Sequence, residues 1–113
     1  MHEFAITKGI LDIVLQKARE VQASKIAKID VQVGKLTGYI PECIQLQFAI
    51  LSKGTIAAGA NLSFYQPAAR LHCRKCNLDY TTDSFDLVCP NCHTLEMDVL
   101  SGQELSVESM EVE

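Results

Sequence analysis

The spacing of apolar residues at the start of the chain predicts an amphipathic helix from about Glu3 to Gln22. The apolar residues that recur at intervals of three and four are Ile6, Ile10, Ile13 or Val14, Ala18 and Val21. The residues that fall between them, and that we expect to face water, are Asp12, Gln16, Arg19 and Glu20. Glu3 suits the first turn of such a helix because a carboxylate is favoured at the positive end of the helix dipole.

A second helix is predicted from Pro41 to about Gly54, since proline followed by an acidic residue is typical of a first helical turn. Its apolar stripe is Ile44, Phe48 and Leu51, widened by Cys43 and Leu46. We expect Cys43, the one cysteine outside the pairs described below, to be a buried thiol rather than a reactive one.

Three segments alternate between apolar and polar residues and are predicted to be strands. The first runs from about Ala27 to Lys35 and the second from about Asn61 to Gln66, where Leu62 and Phe64 point inward. The last carries Leu105 and Val107, then Met110 and Val112; this change of phase predicts a β-bulge or a bend.

The order of these elements predicts an α/β or α+β fold: a small three-stranded sheet with two helices and an inserted lobe. We expect residues 1–68 and 101–113 to form one domain and residues 69–100 to form the lobe. The chain should return from the lobe near Leu100 to Gln103, where Gly102 indicates a turn.

Two C-x-x-C pairs inside the lobe predict a metal site. Cys73-Arg-Lys-Cys76 is separated by twelve residues from Cys89-Pro-Asn-Cys92, a spacing that suits one tetrahedral ion bound by four thiolates. The twelve residues have room for a short hairpin. Zinc is favoured, iron in a rubredoxin-like site is the rival, and disulfides or free thiols fit less well because we see no signal peptide. Four cysteines close the coordination sphere, which argues against zinc catalysis.

Composition narrows the functional classes. The 113 residues carry a net charge of −4, which argues against non-specific binding of nucleic acid or of an anionic membrane, and no apolar run is long enough to span a bilayer. We expect a cytoplasmic protein, because we see no signal peptide. From Leu95 to the end there is no Lys or Arg. The carboxylates there are Glu96, Asp98, Glu104, Glu108, Glu111 and Glu113.

The three histidines differ in what they predict. His72 and His93 flank the cysteines and could ligate the metal, but we favour exposure on the lobe. His2 lies beside the α-amine, so that amine, backbone amides and imidazole can form small chelate rings around one ion. Such planar, nitrogen-rich ligand sets suit Ni(II) or Cu(II) better than Zn(II).

Five motifs, taken together and in order, resemble the HypA/HybF family of nickel metallochaperones. They are Met1-His2-Glu3, Gly34-Lys-Leu, Pro41-Glu42, the run from Lys53-Gly54-Thr55 to Gly59-Ala60, and the two cysteine pairs. Many members carry Ser two residues after Glu3 and Gly after the last cysteine, where this chain has Ala5 and His93. Neither position is a metal ligand in the family.

The resemblance implies a non-enzymatic nickel carrier for maturation of [NiFe] hydrogenase, and in some bacteria of urease. It implies nickel at His2, with the Met1 amine and with Glu3 as an amide or nearby carboxylate, and zinc at Cys73, Cys76, Cys89 and Cys92. The partners that it implies are a HypB-type GTPase and the hydrogenase large-subunit precursor. The alternative is a protein-docking adaptor in which the zinc is only structural.

Overall fold

The computed structural model describes residues 3–113, so Met1 and His2 lie outside the described part. The chain forms two compact units. The first unit comprises the described part of Met1–Gln32 together with Tyr39–Tyr65 and Ser106–Glu113. The second comprises Val33–Gly38 and Gln66–Leu105. No helix in the described residues is long and apolar enough to cross a membrane.

The first unit contains two helices and a three-stranded sheet, as the sequence predicted. The helices are α1 (Glu3–Glu20) and α2 (Pro41–Leu51), and the strands are β1 (Ile26–Val33), β2 (Asn61–Tyr65) and β6 (Leu105–Val112), in the order β2-β1-β6. β1 and β2 are parallel, which is why a crossover containing α2 joins them. β6 runs antiparallel to β1, since Lys25 exchanges backbone hydrogen bonds with Glu113 at one end and Gly34 bonds to Glu104 at the other.

The buried face of α1 differs from the predicted stripe. Its buried residues are Glu3, Thr7, Ile10, Leu11, Val14 and Ala18. Ile10, Val14 and Ala18 are buried as predicted, and Ile13, the alternative to Val14, is 47% exposed. Val21 follows the last residue of α1 and is 63% exposed, so its place in the stripe was wrong, and Ile6 is half-buried. The four polar residues expected to face water are all exposed. The core-facing stripe therefore keeps its predicted centre but begins with two polar residues, Glu3 and Thr7.

In α2 the prediction holds for the central residues and fails at the margin. Ile44 and Phe48 are buried, Pro41 occupies the first turn, and the helix ends at Leu51. Leu46 is 66% exposed, so its assignment to the stripe was wrong. Cys43 is half-buried rather than buried.

The second strand follows its prediction more closely, since Leu62 is buried and Phe64 half-buried on the same face. A bulge in β6 stays a prediction.

The second unit has a sheet of its own. Its strands are β3 (Ala69–Cys73), β4 (Asp79–Thr82) and β5 (Met97–Ser101), in the order β4-β3-β5, and both pairs are antiparallel. Every second residue of β3, namely Ala69, Leu71 and Cys73, is buried. The hairpin predicted within the twelve residues between the cysteine pairs was wrong: β4 pairs with β3 instead, because the first pair itself forms the turn between them.

A close crossing of two backbone segments holds Val33–Gly38 in the second unit. The Gly34 N–H donates to the Glu104 carbonyl at 2.8 Å, and the Leu36 N–H donates to the Gly102 carbonyl at 2.8 Å. Leu36 is the middle residue of a short 3-10 helix, Lys35–Thr37. A β-carbon on Gly34 would lie only 2.2 Å from the Gly102 oxygen. The Gly34-Lys-Leu motif therefore serves a backbone contact that no larger residue would permit.

Candidate metal centre

Two turns of the same geometry present the four cysteines. Cys73 is the last residue of β3, and Cys89 opens the second turn. In the first turn the Asn77 N–H donates to the Cys73 carbonyl, and in the second the His93 N–H donates to the Cys89 carbonyl, both at 2.9 Å. The two C-x-x-C segments are thus equivalent loops, each closed by a bond from the residue that follows its second cysteine.

That closing residue adopts a left-handed backbone conformation in both turns. Asn77 has φ 62° and His93 has φ 60°. Residues other than glycine rarely adopt this conformation, although Asn and His tolerate it better than most. His93 therefore occupies a backbone position that glycine would adopt more readily.

The four sulfur atoms form one compact cluster. All lie within 4.8 Å of one another, with Cys73 Sγ 3.5 Å from Cys92 Sγ and Cys76 Sγ 3.7 Å from Cys89 Sγ. A tetrahedral ion with sulfur ligands at about 2.3 Å requires sulfur–sulfur distances of about 3.8 Å. The predicted ligands are therefore brought together in a geometry that fits such an ion.

The pKa values of the cysteine thiols differ within the cluster. A side-chain hydrogen bond with Asn91, then a backbone bond near Leu78, lowers the pKa of Cys76 to about 6. A backbone hydrogen bond from Cys92 lowers the pKa of Cys89. For Cys92 a backbone bond from Thr94 lowers the pKa, but burial and the neighbouring thiols raise it to about 12. Cys92 therefore stays protonated near neutral pH when no metal is bound, and a bound cation would have to displace its proton.

The loop between the two turns is fastened by a tyrosine. The Tyr80 hydroxyl donates to the Leu87 carbonyl at 2.8 Å, two residues before Cys89. Burial, followed by the nearby cysteines, raises the pKa of Tyr80, so this hydroxyl stays a donor. This contact, which the sequence did not indicate, helps to hold the second turn against the first.

Neither histidine of the lobe belongs to the sulfur cluster. His72 Nδ1 lies 2.5 Å from the Asp79 carboxylate, and that hydrogen bond raises the pKa of the imidazole. His72 is half-buried and pairs with the exposed Asp79, and His93 is exposed as predicted. Both side chains are thus placed beside the cluster rather than in it.

Of the predicted N-terminal nickel site, Met1 and His2 lie outside the described residues, but Glu3 is within them. Glu3 is 3% exposed, and its carboxylate accepts a hydrogen bond from the Ile40 N–H at 3.2 Å. Thr7 Oγ1 lies 2.6 Å from the Glu3 carbonyl oxygen and 3.2 Å from Gln47 Oε1. The sequence reasoning missed Thr7, Ile40 and Gln47. Counting back from Ile10 in helical steps of three and four would have put Thr7 and Glu3 on the buried face.

Two helices on a small sheet, with a separate four-cysteine unit built on two equivalent turns, define an α+β protein with a zinc-ribbon-like metal site. The family model described as "Hydrogenase/urease nickel incorporation, metallochaperone, hypA" matches residues 1–112. The chain therefore belongs to the HypA family, and the resemblance seen in the sequence is confirmed.

Curated relatives and solved structures agree with this assignment. The hydrogenase maturation factor HypA of Dehalococcoides mccartyi strain 195 is 36% identical over 113 residues, covering 100% of this chain and 95% of that protein. Its counterpart in Chlorobaculum tepidum is 35% identical and covers all of both chains. The solution structure of the Ni metallochaperone HypA from Helicobacter pylori aligns with a TM-score of 0.69 at 22% identity, over 99% of this chain and 97% of that one. At that identity the likeness shows the fold alone.

The family description settles the class of protein. The matching family is one of metallochaperones, and the relatives are named maturation factors. The chain thus belongs to a family of metal-handling accessory proteins and not of enzymes, as the sequence analysis expected.

Proposed function

We propose that this protein carries Ni(II) and delivers it during maturation of [NiFe] hydrogenase, with urease as a further recipient. The observation that carries the proposal is the family match over residues 1–112, which includes both Met1-His2-Glu3 and the four cysteines. Nickel is the cargo. His2 supplies imidazole and amide nitrogen, Met1 supplies the α-amine, and Glu3 supplies an amide nitrogen or a nearby carboxylate.

The four cysteines hold zinc in this proposal. The sulfur distances and the all-thiolate set suit a closed, redox-silent zinc site, and iron would use the same ligands. Zinc there fixes the two turns, because the ion links Cys73 and Cys76 to Cys89 and Cys92. Metal analysis distinguishes the two ions, and a colourless protein with one zinc per chain is the expected result.

Nickel titration of protein with an unmodified N-terminus tests the proposal. We expect one nickel ion per chain in addition to zinc, and weaker binding as pH falls through about 6.5, since the imidazole must be neutral to coordinate. His2→Ala and a variant with extra N-terminal residues should both lose this binding. His93→Asn is the matched control, because it removes another histidine while keeping a residue that tolerates the left-handed backbone. If His2→Ala and the extended protein keep wild-type affinity, nickel binds elsewhere.

The proposed partners are a HypB-type GTPase and the hydrogenase large-subunit precursor, and the proposed location is the cytoplasm. The alternative function is a protein-docking adaptor with structural zinc only. The exposed carboxylates of Glu108, Glu111 and Glu113 favour a docking role for this end of the chain. A chain that binds zinc and no nickel would support the adaptor.

A further inference from the structure

The first turn of α1 contains an acidic side chain that is withdrawn from water. Glu3 is 3% exposed and lies on the same buried face as Thr7 and Ile10. Buried carboxylates need hydrogen-bond donors, because an uncompensated buried charge is strongly destabilising. The position of the Glu3 carboxylate therefore depends on the group that donates a hydrogen bond to it.

The donor comes from the start of the other helix. Ile40 precedes the first turn of α2, and its N–H donates to Glu3 Oε2 at 3.2 Å. No side chain of the residue in the capping position accepts a bond from the first turn of α2, and Pro41 has no N–H to offer. A negative charge at this place is also favoured by the dipole of α2. Glu3 thus serves as an acceptor for α2 from a different helix.

The backbone of the same residue is anchored as well. The Thr7 hydroxyl donates to the Glu3 carbonyl at 2.6 Å. The hydroxyl has a single proton, so it cannot also donate to the Gln47 amide oxygen, which lies 3.2 Å away. A rotated Gln47 amide, with its NH₂ group toward Thr7, donates to the hydroxyl instead. Thr7 is fully buried. Both the side chain and the carbonyl of Glu3 are therefore connected to α2.

We propose that Glu3 is a positioning residue for the nickel site, and that its carboxylate acts through the Ile40 N–H rather than on the metal. This inference rests on the proposed function. With both ends anchored, Glu3 holds its own amide nitrogen, the atom that joins it to His2, in a fixed place. Less ordering of the chain is then needed when nickel binds.

Substitutions at Glu3 separate positioning from direct ligation. Glutamine keeps an oxygen acceptor for Ile40 but is a poor nickel ligand, whereas alanine removes both. We expect Glu3→Gln to stay within about threefold of wild-type nickel affinity and Glu3→Ala to bind about tenfold more weakly. The nickel absorption bands should be unchanged in both. Glu42→Ala is the matched control, because it removes an exposed carboxylate from the first turn of α2 and should change affinity less than about twofold.

A double substitution tests the route through Ile40. Ile40→Pro deletes the N–H donor, and we expect it to weaken nickel binding about as much as Glu3→Ala. If the carboxylate acts through this N–H, adding Glu3→Ala to Ile40→Pro should cause no further loss. A further tenfold loss in the double variant, altered absorption bands, or equal losses for Gln and Ala would overturn the positioning role.

A measurement on zinc-loaded protein without nickel checks the contact itself. The amide proton of Ile40 should exchange slowly in wild-type protein and faster in Glu3→Ala, as seen by NMR; equal exchange overturns the contact. If wild-type protein binds no nickel, the proposed function fails and the positioning role fails with it. If wild-type protein binds nickel and Glu3→Ala binds it equally well, only the positioning role fails.

Discussion

Replacing Gly34 by alanine should destabilise the protein through a collision between two backbone segments. The new β-carbon would lie 2.2 Å from the Gly102 oxygen and 2.4 Å from its carbonyl carbon. Ordinary contact begins at 3.4 Å, so one segment must retreat by about 1 Å. Retreat of Gly102 is obstructed, because Ala69 packs so closely that a β-carbon on Gly102 would meet that of Ala69 at 2.6 Å.

The size of the effect follows from three contributions. Overpacking costs about 1–3 kcal/mol, and the bonds from the Gly34 and Leu36 N–H groups, both 2.8 Å long, are worth about 1 kcal/mol each. Gly34 has φ −60°, which alanine adopts freely, so the backbone itself adds no strain. Alanine also restricts the unfolded chain, which offsets about 0.4–1 kcal/mol. The net loss should be about 3 kcal/mol, or about 10–20 °C in Tm.

The assay is urea unfolding of zinc-loaded protein, followed by far-ultraviolet circular dichroism at a fixed zinc concentration. The matched control is Gly9→Ala, in the middle of α1, where a β-carbon would meet nothing within 4 Å. That change should stabilise the protein by about 1 kcal/mol, because alanine is the better helix former. If Gly34→Ala unfolds within about 0.5 kcal/mol of wild type, the close crossing does not contribute as described.

Three further predictions concern single side chains. His93→Gly should raise the free energy of unfolding by about 1 kcal/mol without changing zinc content, because glycine adopts the left-handed backbone conformation without strain. Thermal unfolding and metal analysis test this prediction. A variant no more stable than wild type would contradict it. Thr7→Val should lower the free energy of unfolding, measured in urea, by about 1–2 kcal/mol, because valine cannot donate a hydrogen bond to the Glu3 carbonyl. Thr7→Ser keeps the hydroxyl and should lower it much less. Equal losses for the two variants would count against this role of the hydroxyl. The hydrogen bond that His72 donates to the Asp79 carboxylate raises the folded-state pKa of His72. This pair therefore stabilises the fold below about pH 6.5, and the stabilisation is lost as pH rises through the raised pKa. Asp79→Asn should remove that pH dependence of Tm, and an unchanged profile would refute the assignment.

Local patterns predicted the parts of this protein that depend on neighbours in sequence. Pro41 begins α2 and the 3.6-residue period gives α1, because helical contacts join residues three and four apart. The two C-x-x-C turns are equally local, since each is closed by a bond across four residues. Their convergence on one site was predicted because a single tetrahedral ion needs all four sulfurs.

Tertiary packing decided which part of each apolar stripe became buried. Ile13 and Leu46 satisfy the helical period yet are exposed, whereas Glu3 and Thr7 are buried. A sequence gives the period of a stripe, but its centre depends on where the neighbouring helix and sheet lie. Glu3 could be buried only because the Ile40 N–H, distant in sequence, is there to bond with it.

Contacts between distant segments likewise required the folded structure. The sequence showed glycines at 34 and 102 but not that their backbones cross within contact distance. It indicated a lobe but not its β4-β3-β5 sheet, because the strands are short and their pairing is set by which segments meet. The sequence by itself therefore determined the local elements, the convergence of the four cysteines and the family, through short-range periodicity and motif spacing. Burial, strand pairing and the anchoring of Glu3 were decided by the tertiary structure, because each depends on a partner far along the chain.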